Sequence, residues 1–142
     1  MKKKNMVVVL ISVAILVLFF PISTTHNISG NGVVLSLQKE KIGECNLEIQ
    51  ITEVASLAIC YKKSFSFVLD GKSRETFSAI SYSEADNICL ISQMYYDEEI
   101  DEMSGCSLIV NEELSYAVLD LGTNYYFINN GSDMNYAELP IY

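Results

Sequence analysis

His26 is the chain's one histidine. Nucleophilic catalysis of the Ser-His-Asp or Cys-His kind needs an imidazole within hydrogen-bond reach of the nucleophile. The surrounding STTHNISGNG reads as a solvated, flexible spacer, so His26 would serve only if that spacer folded back. Histidine-based zinc hydrolysis is excluded on the same ground. Neither G-x-x-x-x-G-K nor G-x-G-x-x-G occurs, so no phosphate-cradling loop is encoded. No residue is assigned a catalytic or cofactor-binding role, and the chain reads as a non-enzyme.

Four cysteines follow: Cys45, Cys60, Cys89 and Cys106. Two disulfides are expected if the chain is exported, and neighbour pairing, Cys45–Cys60 and Cys89–Cys106, is the simplest connectivity. Each bridge would contribute about 3 kcal/mol. The competing reading is four buried thiols behaving as small apolar residues. Cys45 alternates in phase with Leu47 and Ile49, and Cys106 with Leu108 and Val110. No C-x-x-C pair is present for zinc or for thioredoxin-type redox chemistry.

Two other groups could bind. Asp97, Glu98, Glu99, Asp101 and Glu102 form an acidic cluster, DEEIDE. It is a candidate for weak cation binding, but lacks the D-x-D-x-D-G order of a calcium loop and reads first as a charged turn. Tyr95-Tyr96 and Tyr125-Tyr126 are adjacent pairs. Strand alternation would put one ring of each pair outside, where tyrosine is a common recognition residue. Tyr82, Tyr116, Tyr136 and Tyr142 could join that outer face. The sequons Asn27-Ile28-Ser29 and Asn130-Gly131-Ser132 matter only in a glycosylating host.

The elements that must position these residues are mostly strands. CNLEIQIT and SFSFVLDGK alternate apolar and polar residues, the second ending in the hairpin signal Asp70-Gly71. Residues 33–38, 75–82, 87–96, 106–110, 114–121 and 124–129 extend the series, separated by turn-forming Asn, Gly and Ser. The two prolines, Pro21 and Pro140, lie outside every candidate strand. The expected fold is all-β, a small antiparallel sandwich or barrel of about seven or eight short strands. Residues 83–103 also carry helical spacing, with Ser83 and Asp86 as a cap. A helix there would make the class α+β.

Lys2, Lys3 and Lys4 precede an apolar run, MVVVLISVAILVLFFPI, over residues 6–22. This reads as a single-pass membrane anchor, with a cleaved signal peptide as the alternative, and the rest of the chain outside the cytoplasm. The expected organisation is an anchor at 1–22, a polar linker at 23–32 and a β domain at 33–142. The 142-residue chain carries net charge −9. Beyond the run the balance is 6 − 18 = −12, since all 18 acidic but only six of the nine basic residues lie there. Such charge disfavours nucleic acid. The functional expectation is a membrane-tethered, non-catalytic binding or structural module, showing an acidic, tyrosine-bearing sheet to a cell-surface protein. The alternative is a small barrel enclosing an apolar or aromatic ligand.

Overall fold

A computed structural model describes residues 3–77, 79 and 81–139. Expectations that touch Lys2, Ser78, Ile80, Pro140 or Tyr142 lie outside these residues. Among the described residues the chain forms one helix, α1 (Lys3–Phe19), and nine strands: β1 (Ile22–Leu35), β2 (Lys41–Ala55), β3 (Cys60–Leu69), β4 (Lys72–Arg74), β5 (Ser81–Ala85), β6 (Ile88–Asp97), β7 (Glu102–Asn111), β8 (Tyr116–Asp120) and β9 (Tyr125–Asn129). A 3-10 turn follows at Tyr136–Glu138.

All nine strands belong to one antiparallel sheet in the order β4-β3-β2-β1-β9-β8-β7-β6-β5. The mostly β expectation therefore holds, and residues 83–103 form strands joined by turns rather than a helix. The sheet is not closed, because β4 and β5 stand at its two ends. It nevertheless curls until the segment after β4 meets β6. Thr76 bridges Tyr95, the Phe77 N–H donates to the Met94 carbonyl at 3.0 Å, and the Tyr96 N–H to the Glu75 carbonyl at 3.0 Å.

The alternation that marks β2, β3, β6 and β7 supplies the core. Leu47, Ile49, Ile51, Phe65, Phe67, Ile91, Leu108 and Leu119 are buried together on the concave face. Buried Gln93 joins them without loss, since its side-chain oxygen accepts from the Phe65 N–H (3.2 Å) and its amide donates to the Phe65 carbonyl (2.5 Å). That amide links β6 to β3 where no ladder does. A second cluster on the convex face holds Leu35, Tyr116, Val118, Tyr125, Phe127 and Leu139, so the C-terminal segment covers β8 and β9.

Two expectations about the N-terminus need correcting. The stretch read as a linker, residues 23–32, runs instead inside β1, a 14-residue strand paired with β2 from Ile22↔Ala55 to Leu35↔Lys41. The membrane anchor fails on length. α1 has 17 residues, about 26 Å at 1.5 Å per residue, and begins with lysines. A bilayer's hydrocarbon core is about 30 Å thick. Among the described residues no helix is long and apolar enough to cross a membrane. The single-pass topology and the extracytoplasmic placement built on it lose their support. α1 buries none of its residues, and its C-terminal end touches the sheet where the Tyr61 hydroxyl donates to the Phe19 carbonyl at 3.1 Å.

Candidate functional site

At one end of the curled sheet two tight turns come together. Asp86 and Asn87 connect β5 to β6 with φ of 52° and 63°, the double left-handed geometry of a type I′ hairpin, which Asp and Asn tolerate. Residues 111–115 connect β7 to β8. There Asn111 organises the turn, its side-chain oxygen accepting from the Ser115 and Tyr116 N–H groups (2.9 and 3.1 Å). The Glu112 N–H donates to the Asn87 carbonyl at 2.9 Å and ties one turn to the other.

Beneath these turns lies a cavity of about 480 Å³, within the usual range of small-molecule sites. Its floor is the end of the core: Ile51 and Val110 are buried in the main cluster, and Cys89 and Leu114 pack against it. Ile88 completes the apolar wall. Its rim is polar and carries His26, Glu53, Lys63, Glu84, Asp86 and Glu112. His26 reaches this rim because β1 pairs it with Ile51, which puts it on the face of buried Ile28 two residues on.

The rim is partly cross-linked. The Lys63 ammonium lies 3.1 Å from a Glu53 carboxylate oxygen, pairs also with Glu84, and sits 5.9 Å from the centroid of the Tyr82 ring. The Tyr82 hydroxyl donates to the Cys60 carbonyl at 3.2 Å. These contacts fasten β5, exposed along its whole length, to β3.

The cavity therefore unites a cysteine with the chain's histidine. Burial nevertheless pushes the Cys89 thiol up; Lys63 opposes that shift, while Glu53 and Cys60 reinforce it. A nucleophilic cysteine needs the opposite shift. Among the described residues His26 makes no hydrogen bond or ion pair that would orient it as a base.

The other candidates do not converge. All four cysteines are free thiols. Cys45–Cys60 pairing is geometrically blocked: Cys60 lies opposite Ala55, ten residues along β2 from Cys45, or about 33 Å. Cys106 lies opposite Gln93, four residues from Cys89, which separates the other pair by about 13 Å. Asp97, Glu98, Glu99, Asp101 and Glu102 sit on or beside the β6–β7 turn, and no group of three metal-binding side chains occurs among the described residues. Asp97 accepts from the Glu99 N–H (3.0 Å) and the Tyr95 hydroxyl (3.2 Å), and Asp101 from the Tyr96 hydroxyl. The tyrosines form no common exposed face either. Tyr95, Tyr116 and Tyr125 are buried, Tyr96, Tyr126 and Tyr136 half-buried, and Tyr82 alone of the described candidates is exposed.

Sequence reasoning missed the cavity because its lining comes from six strands and two turns. Two signals were present. ISTTHNIS is rich in β-branched residues and puts Ile22, Thr24, His26 and Ile28 on one face. Asp86-Asn87 carries the residue types of a hairpin turn. Compared with known proteins, the chain matches no family model, no curated protein and no solved structure.

Proposed function

We propose that the protein is a non-catalytic carrier or sensor of a small ligand, held in the cavity beneath the β5–β6 and β7–β8 turns. In this reading the curled sheet works as a small, incompletely closed barrel, its core filling one part and leaving the other open. The observation that carries it is the cavity, with an apolar floor continuous with the core and a rim of charged side chains. That division of lining is what an orienting ligand site needs. The raised Cys89 thiol and unpartnered His26 speak for binding rather than covalent chemistry. The burial of Tyr95 and Tyr125 favours this reading over a tyrosine-bearing display surface. Net charge −9 makes nucleic acid an unsuitable partner.

The test is native mass spectrometry of the chain as purified, with thermal-shift screening against small apolar and aromatic compounds. A ligand at a hundred times its Kd should stabilise the fold by about 2.7 kcal/mol, or about 5–10 °C. Ile88→Trp, which fills the mouth from the half-buried start of β6, should remove the shift while the unliganded Tm stays within a few degrees. A shift that survives this substitution, or a screen without any hit, refutes the reading.

A further inference from the structure

The rim of the cavity states what charge its ligand should bear. Glu53, Glu84, Asp86 and Glu112 line it as acids, and Lys63 is its one lysine, so the formal balance is −4 + 1 = −3 with His26 neutral. Lys63 is not available to an anion. It is paired with both Glu53 and Glu84, and its side chain is 13% exposed. Asp86 and Glu112 have no ion-pair partner among the described residues. They belong to different turns, and the Glu112–Asn87 backbone hydrogen bond holds those turns side by side. Two exposed, unpaired carboxylates are thus carried on adjoining turns at the edge of an apolar pit, within a molecule whose net charge of −9 draws cations towards it.

A bare metal ion fits this arrangement poorly. Calcium takes six to eight oxygen ligands, whereas the apolar lining here is Ile51, Ile88, Val110 and Leu114. An organic cation satisfies both halves. We infer that the cavity selects small amines or amidines, with the apolar body on the core floor and the charged head between Asp86 and Glu112. The inference rests on the ligand-binding reading above and adds the charge class of the ligand.

Matched sets of one skeleton separate the two ideas: 2-phenylethylamine, 2-phenylethanol and phenylacetate, and hexylamine, hexanol and hexanoate. Binding to the full chain is measured by titration calorimetry at low and high salt. The amines should bind about tenfold tighter than the alcohols, with the carboxylates weakest. High salt should shrink that advantage. In the Asp86→Asn/Glu112→Gln double variant the amine's advantage over the alcohol of the same skeleton should disappear. Asn suits the left-handed φ of 52° at position 86, so the turn is retained. Alcohols or carboxylates that match the amines, or a preference that survives in the double variant, overturn the cation inference and leave the ligand-binding reading standing. Binding of none of the six compounds overturns both.

Discussion

At the scale of single residues, the cysteines show how environment decides chemistry. Alternation made two of them legible as core residues, since Cys45 keeps step with Leu47 and Cys106 with Leu108, and both are buried. Their partners could not be read, because pairing depends on strand register. Burial, with Asp120 reinforcing it, pushes the Cys106 thiol from its ordinary 9.0 up to about 12. Burial, with Asp70 reinforcing it, takes Cys45 to about 11. Burial and Asp97 raise Tyr95 from 10.0 to about 12. All three are acids whose folded pKa exceeds the unfolded value, so their protonated forms stabilise the fold fully below about pH 9. As pH rises from 9 towards 12 the unfolded chain releases these protons first, and stability falls. Urea denaturation across that window should show a falling midpoint. Cys106→Ala, although weaker at neutral pH, should show a shallower fall. A midpoint that stays level from pH 9 to 12 contradicts this account.

At the scale of elements, β2, β3, β6, β7, β8 and β9 fall on stretches expected as strand, whereas the strand expected at 75–82 does not form: of its described residues only Ser81 and Tyr82 lie in a strand, β5, and Thr76 makes an isolated bridge. The first half of β1 did not declare itself at all. That half has little to bury: Ile28 is the one buried residue before Gly32, and the rest face solvent or the open end of the sheet. A polar edge segment and a linker have the same composition, so sequence alone had no means to tell them apart. Pairing with the strongly patterned β2 is what makes residues 22–32 a strand. Gly32 marks where β1 begins to run beside β9. A Cβ there would meet the Phe127 carbonyl oxygen at 2.7 Å and the Cys45 sulfur at 3.1 Å. The first neighbour is backbone and cannot turn away, so β1 would have to shift from β9. Gly32→Ala should cost about 1–3 kcal/mol in urea denaturation. Gly105→Ala on β7, where a Cβ meets nothing within 4 Å, should change stability by less than about 0.5 kcal/mol. Equal effects at the two positions would mean that close β1–β9 approach is not what position 32 requires. The helix α1 was equally visible as an apolar run, and its misreading as an anchor came from counting residues 20–22, which leave the helix for Pro21 and β1.

At the scale of the whole molecule, charge is the property that the sequence displays most openly and the fold least relieves. Eighteen acidic residues face nine basic ones. The ion pairs among the described residues are few: Lys41–Glu44, Lys63 with Glu53 and Glu84, and Arg74–Glu99. Lys41 and Glu44 are exposed, and such pairs add little. Many carboxylates therefore repel across a small surface, and this repulsion is relaxed when the chain expands. Raising NaCl from about 0.01 M to about 0.5 M shortens the screening length from about 30 Å to a few ångströms. Repulsion over the surface is screened more than the partly buried Lys63 pairs. Salt should therefore raise the Tm by several degrees, whereas a fold held by surface ion pairs would lose stability. The Asp86→Asn/Glu112→Gln variant supplies the internal check. It removes two unpaired charges from one rim, so its Tm in low salt should exceed that of the unaltered chain, and the gap should narrow in high salt. The carboxylates that oppose folding at this rim are the ones assigned to the ligand. A bound amine should consequently reproduce the stabilisation that neutralising them gives, and should add nothing beyond its apolar contacts once they are gone.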